Sequence, residues 1–444
     1  MGRHDARGGR RRWLVRAAVL GAAAAGAPLA LTGCGGGADR TKARLRLVNA
    51  SAYVDGLDLT VDGARKLAAV RYGADPNYLD VDPDRAECRL ARSGSPTSLV
   101  TLTPALTEDR RYTLLAWGPE GGLRTLLIDD ELGRPDRNRT KFAVVQAAPD
   151  AEALDVYVTG TSEPLAAAMP VHGGLAAGGL GTAAVIDSGT WRVRVTAAGS
   201  KTDVRLDLPA VRLDSEGVAT LVITPSPGGA LVNALLLRQQ GAIERLDNPE
   251  VRVRVVAGLP TSASVSVEVD GQVLAAGQTS PSAGRYLRIP ANATAVRVAA
   301  GGNLVEISRP AFAAGADYTL LVHGTQATPD AQPRADWLAD DNRPPADTGS
   351  ASLRLAHGVS GLADTQTLAL TADFVPVASG VVCGTASAYD TVTATATARL
   401  TVTASGLATP LADEPDQPLV PGGVYTLFVV GDASAPAAIL RRDR

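Results

Sequence analysis

Aromatic side chains are scarce in this chain: Phe, Trp and Tyr make up 4% of 444 residues. Cysteine is scarcer, with three, and histidine numbers four. So few cysteines rule out a disulfide-stapled scaffold, and hydrophobic cores must carry the stability. The histidines stand alone, and neither HExxH nor CxxC occurs, which removes the usual zinc spacings. A Gly-x-Ser-x-Gly nucleophile elbow is also missing; Gly358-Val359-Ser360-Gly361 has the wrong spacing and reads as a turn after a strand. The formal net charge is −3, with no basic cluster of the kind a nucleic-acid backbone demands.

The N-terminus does carry positive charge: six Arg against Asp5 before an uncharged run, Ala17 to Leu31. As a helix this run would reach about 22 Å, short of the roughly 30 Å hydrocarbon core. A basic start, a short apolar stretch and small residues mark a secretory signal. Leu31-Thr32-Gly33-Cys34 resembles a bacterial lipobox, with Gly35 to Gly37 behind it as a flexible tether. The resemblance implies cleavage before Cys34 and acylation of its sulfur and new amine, a stable anchor to an envelope membrane. Gly35 rather than Asp after the cysteine points to the outer membrane, on either face. Arg10-Arg11-Arg12-Trp13-Leu14 is also similar to a twin-arginine export motif, although an ordinary basic start explains it as well. Taking six Arg and one Asp away with residues 1–33 leaves 37 basic and 45 acidic residues, a net charge of −8.

What is abundant is Gly, Ala, Val, Leu and Thr, arranged in four repeats. The runs starting at Leu45, Phe142, Val253 and Leu353 are strand-length and apolar, spaced 97, 111 and 100 residues apart. A second strand begins twelve residues later at Leu57, Leu154 and Val265, and three residues late at Leu368 in the fourth repeat. A third landmark, Tyr-Thr-Leu, falls at Tyr112, Tyr318 and Tyr425, with Ala219 in the second repeat. Polar, proline-bearing linkers precede the next starts. The expected organisation is therefore a signal over 1–33, a tether over 34–43, and β-sandwich repeats over 44–135, 136–246, 247–347 and 348–444.

Within the second repeat seven strands are expected, near 142–147, 154–159, 183–187, 191–197, 203–208, 218–224 and 231–237, with a loop or short helical turn over 162–180. Seven short strands and no helix to cover a sheet face imply all-β, immunoglobulin-like antiparallel sandwiches. With polar linkers and no long apolar face between repeats, the array should form an extended rod, each unit touching only its neighbours. The short middle linker should bring the second and third repeats closest. At this point AAPDAEALDVYVTG (147–160), GTWRVRVTAAG (189–199) and Gly315-Ala-Asp-Tyr-Thr-Leu-Leu-Val resemble the DUF4397 domain of bacterial secreted and surface proteins. The resemblance spans 44–444, strongest in repeats two and three. It implies a β-sandwich and an extracytoplasmic home, and brings no catalytic residues.

Candidate sites are few. The recurring tyrosines resemble the tyrosine corner of immunoglobulin-like sandwiches, a packing device. His172, His323 and His357 would need to converge from different repeats to form a metal or catalytic site. Asp80, Asp82 and Asp84 alternate as calcium ligands do, but Arg85 and Ala91 stand where an EF-hand needs Gly and Glu. Asp129-Asp130 and Asp340-Asp341 read as solvent-facing charges that discourage edge pairing. Trp117, Trp191 and Trp337, one in each of the first three repeats, are the only tryptophans after the signal, and a sugar-binding module commonly presents a coplanar aromatic platform. Cys88 and Cys383 are either a pair or two buried thiols. Apart from lipidation at Cys34, the sequence shows no catalytic, metal or cofactor residues. The function expected is a non-catalytic, lipid-anchored envelope module that binds an envelope protein or glycan, or acts as a spacer. The alternative is an envelope hydrolase with a site built from more than one repeat.

Overall fold

The computed structural model describes residues 40–444 apart from 84, 261, 325–331, 348 and 364. The signal and Cys34 lie outside the described residues. Everything from Arg40 onward forms one compact unit. Among the described residues there are 34 strands in eight sheets, two per repeat, with only three single-turn 3-10 helices. The fold is all-β, a tandem array of sandwiches.

Each repeat pairs a mixed sheet with an antiparallel one. In the first repeat, Ala43–Asn49 lies between Leu79–Val81 and Arg111–Trp117, with Arg124–Asp129 at the edge. The facing sheet holds Ala64–Val70, Leu57–Val61, Cys88–Arg92 and Ser98–Leu102. The start strand always runs parallel to the Tyr-Thr-Leu strand, as in Leu45 beside Tyr112 and Leu353 beside Tyr425. In the second repeat the same pairing sets Phe142 beside Ala219. Alternate residues of the start strands, such as Leu45 and Leu47, fill the repeat's own core.

All seven strands expected in the second repeat are present. Two more, His172–Leu175 and Ile243–Leu246, bring the total to nine, and a 3-10 turn covers Leu165–Ala167. The tyrosine corner is present too. The hydroxyl of Tyr318 accepts from the Ala313 N–H at 3.0 Å, and that of Tyr425 accepts from the Val420 N–H at 2.9 Å.

The rod is not what forms. The other face of each start strand, with the matching face of the Tyr-Thr-Leu strand, packs into the neighbouring repeat. Val48, Leu115 and Ile128 of the first repeat share a core with Val145, Val222 and Leu235 of the second. The same positions in the second pair, Val256, Leu321 and Leu338, meet Ala356, Phe428 and Val430. A strand covered on both faces reads as a continuous apolar run, because no position needs to meet water. Gly358 permits the close approach: a Cβ there would stand 3.1 to 3.4 Å from Val430, Leu321 and His323.

The linkers are pinned rather than free. Asn248 donates to the carbonyls of Arg205 and Val232, and Asn342 donates to the Asp317 carboxylate at 2.7 Å. Nor are contacts confined to neighbours. Arg444 of the fourth repeat donates to the carbonyls of Gly229 and Asp150 in the second, and Arg343 stacks 5.1 Å from the ring of Tyr53 in the first.

Candidate functional site

Three buried arginines hold the joints. Arg46, Arg254 and Arg354 occupy one position of the start strand, on the face turned toward the neighbour, and each is 2% exposed. Each Nε donates to the Thr of a Tyr-Thr-Leu landmark: Thr113 at 2.7 Å, Thr319 at 2.7 Å and Thr426 at 3.0 Å. Those hydroxyls donate in turn to Asp130, Asp340 and Asp443, which also accept from Tyr78, Tyr286 and Tyr389. The guanidinium groups lie 4.5 to 5.1 Å over the same three rings.

Between repeats three and four the arrangement crosses over. Arg254 donates to Asp443 of the fourth repeat, and Arg354 donates to Asp340 of the third. Burial alone would raise the Asp340 carboxyl, but the charges of Arg354 and Arg254 outweigh it and hold it below the ordinary range. Asp130 has only Arg46, at 3.8 Å, and there burial wins and raises it. The solvent-facing reading of Asp130 and Asp340 is therefore corrected: both are buried because a buried guanidinium needs an acceptor. Their neighbours Asp129 and Asp341 do reach the surface, paired with Arg110 and Arg343.

The repeats meet around a cleft of about 760 Å³, within the size range of small-ligand sites. Its walls come from all four: Tyr53 and Trp117, then Asp150 and Glu152, then Asp341 and Arg343, then Tyr389, Arg442 and Arg444. Two residues of the wall carry a buried polar atom without a hydrogen-bond partner, Trp117 at Nε1 and Asp150 at Oδ1. Burial raises the Asp150 carboxyl despite the nearby Arg444, while its other oxygen accepts from the Tyr53 hydroxyl at 3.1 Å. A second groove of about 520 Å³, between Glu131–Arg134 and Arg212–Gly217, follows the outside of the first joint.

A separate cluster forms where repeats three and four touch. His323 Nε2 is 2.8 Å from Asp336 Oδ2, and its Nδ1 is 2.8 Å from the Gly324 carbonyl and 3.7 Å from Cys383 Sγ. Burial would lower this imidazole, but the hydrogen bonds from Asp336 and Cys383 outweigh it and push it up to about 9. Cys383 is half-buried and free; Cys88 is free in the first core, where burial pushes its thiol up to about 11. The two do not pair.

The remaining candidates are structural. His357 Nδ1 accepts from the Val359 N–H at 3.1 Å, as Asn49 Oδ1 accepts from Ser51 and Gln146 Oε1 from Ala148. Its Nε2 is buried and unpartnered, and burial, then the charge of His323, pushes it down to about 4. His172 packs against Phe142, with its ring in the space that the missing Cβ of Gly181 leaves. Trp191 donates to the Asp187 carbonyl and Trp337 sits edge-on to Phe312 and Tyr318, so the tryptophans make no common platform. Asp80 and Asp82 pair with Arg44 and Lys42; Asp84 lies outside the described residues. Gly358 to Ser360 continue their strand, and the turn comes at Gly361.

A chain of all-β sandwiches joined face to face, with a cleft where its four repeats meet, is a tandem β-sandwich protein. Its family follows from sequence: a model described as a domain of unknown function (DUF4397) matches residues 43–157 and 251–361, and the chain belongs to that family. Each match opens on the first strand of a packed pair, in repeats one and three rather than two and three. Comparison with curated proteins gives no match. Among solved structures, a protein of Bacteroides uniformis assigned to cell adhesion is 11% identical with a TM-score of 0.20, covering 46% of this chain and 97% of its own. The Bacillus anthracis TIE protein is 9% identical with a TM-score of 0.14, covering 86% of this chain and 66% of its own. The Lactobacillus rhamnosus pilus adhesin SpaC is 10% identical at 0.13, over 68% and 43%.

Proposed function

We propose that the protein is a non-catalytic, lipid-anchored binding protein of the bacterial envelope, holding a glycan in the cleft between its four repeats. In this reading residues 1–33 are removed, Cys34 is acylated, 34–43 are a tether, and the repeats end at 135, 246, 347 and 444. The supporting observation is the cleft itself, walled by all four repeats, where two wall residues, Trp117 and Asp150, each keep a buried polar atom without a hydrogen-bond partner. A sugar hydroxyl both accepts and donates, so one ligand class answers both groups. The locked joints argue against a mere spacer, since a spacer has no use for a cleft built from four repeats.

Titration of the acyl-free chain with soluble envelope oligosaccharides tests the ligand. Saturable binding that Asp150→Ala weakens at least tenfold is expected; binding unchanged by that substitution refutes the site. Palmitate labelling tests the anchor: wild type should label and Cys34→Ala should not. Equal labelling removes the anchor from the reading.

A further inference from the structure

We propose that Cys383 is a nucleophilic thiolate that exchanges with low-molecular-weight disulfides, held in that state by His323 and Asp336 across the joint of repeats three and four. The proposal is independent of the cleft and of the lipid anchor. Three residues from two repeats meet: carboxylate to imidazole at 2.8 Å within the third repeat, and imidazole to sulfur at 3.7 Å across 60 residues of chain. A nucleophile, a nitrogen group beside it and a carboxylate that orients that group are the recurrent parts of an activated thiol.

The protonation state follows from the partners. Both ring nitrogens of His323 face acceptors, the Asp336 carboxylate on one side and the Gly324 carbonyl on the other. An imidazole satisfies two acceptors only with a proton on each nitrogen, so His323 is an imidazolium. Its positive charge beside Cys383 favours thiolate over thiol. Against this stands the Val359 carbonyl, 3.5 Å from Sγ, which favours the S–H form. A full charge outweighs a carbonyl dipole at similar distance. His357, on the same strand as Val359, is held neutral near pH 7 by its burial and adds no opposing charge. Cys383 is half-buried rather than enclosed in a core as Cys88 is.

The step balances without an added oxidant. The Cys383 thiolate attacks one sulfur of the disulfide; that S–S bond breaks as the new one to Cys383 forms. The leaving sulfur departs as a thiolate, taking both electrons of the broken bond and a proton from solvent. Cys383 is oxidised by the sulfur it displaces.

Oxidised glutathione and the full chain provide the test, with mixed disulfide at each cysteine read by peptide mass spectrometry. Cys383 should react in the native chain at pH 6, where an unassisted thiol is almost wholly protonated. His323→Gln should slow exchange at pH 6 by about three- to tenfold, because the lost thiolate fraction exceeds the gain in nucleophilicity of the more basic sulfur. Asp336→Asn should slow it in the same direction by less. Cys88, buried in the first core, reports unfolding, since it reacts only where that core opens. If His323→Gln unmasks Cys88, then Asp336→Asn and the wild-type reaction at pH 6 decide. Equal rates in native variants, or a Cys383 that stays unreacted at pH 6, overturn the proposal.

Discussion

Two histidines at one joint carry opposite shifts, and together they set a pH optimum for stability. His323 is pushed from 6.5 up to about 9 by Asp336 and Cys383 against its burial. Its folded value lies above the unfolded one, so its contribution is full below pH 6.5 and disappears as pH rises through 9. At 1.36 kcal/mol per unit the ceiling is about 3 kcal/mol, trimmed by solvent screening because Asp336 is half-exposed. His357 is pushed down from 6.5 to about 4, chiefly by burial. Its unfolded form binds the proton first, so stability falls as pH drops from 6.5 toward 4, again by up to about 3 kcal/mol. The joint is therefore most stable near pH 6.5. Urea titrations from pH 4 to 9.5 on wild type and two variants measure this. His323→Gln should flatten the limb above pH 6.5, and shorten the acid limb as well because its charge helps depress His357. His357→Asn, which restores the amide that Asn49 supplies in the first repeat, should flatten the acid limb alone. Differences between wild type and variant cancel the other carboxylates. If those differences stay constant within about 0.5 kcal/mol across the range, the assigned charge states are wrong.

The crossed ion pairs give a sharper loss. Asp443→Ala strands the Arg254 guanidinium and removes the acceptor of Thr426 and Tyr389, and should cost about 3–5 kcal/mol in denaturant titrations. Replacing Arg254 by Met and Asp443 by Leu together should recover most of that loss. The tyrosine corner is worth less: Tyr425→Phe keeps the ring and loses only the bond from the Val420 N–H, for about 1 kcal/mol in the same assay.

The sandwiches themselves were legible in the sequence, because each landmark is a local pattern with a local cause. Apolar runs of strand length, Gly-bearing turns and a Tyr opening a core strand all report on one repeat at a time. His172–Leu175 and Ile243–Leu246 escaped because HGGL and IERL carry too little apolar character to read as strands. The joints escaped for a different reason. Arg46, Arg254 and Arg354 sit inside apolar runs, where a lone cation reads as the solvent-facing phase of an alternating strand. Only a second sheet laid over that face makes the position buried, and sequence order does not say which sheet that is. The continuous run around each Arg was the available signal, since a strand open to water on one face has no need of it. The Cys383 cluster had no such signal: 60 residues and a repeat boundary separate it from His323.

The second repeat explains why the array closes in pairs rather than extending. Ala143 stands where the other start strands carry Arg, so this repeat brings no buried arginine at that position; its Arg245 stacks instead over Tyr72 of the first repeat, 5.0 Å from the ring. Arg46 serves the joint by donating to the Gly241 and Arg238 carbonyls at 2.9 and 3.4 Å, while Gln240 donates to the Asp130 carbonyl at 3.0 Å. Asp75 of its own repeat also stands 3.5 Å from the Arg46 guanidinium, so with these carbonyls Arg46 needs no carboxylate from the second repeat. Repeats three and four each bring a tetrad, and neither closes on its own. Arg254 stands 3.8 Å from the nearest oxygen of its own Asp340, beyond hydrogen-bond reach, and is paired by Asp443 instead. A buried cation without its carboxylate costs several kcal/mol, so in repeats three and four the pair, not the single sandwich, is the smallest piece with its buried charges satisfied. With the apolar sheet faces consumed inside the pairs, loops and chain ends do most of the joining of one pair to the other among the described residues. Those are the segments that carry Tyr53, Asp150, Arg343 and Arg444, and the cleft forms where they meet.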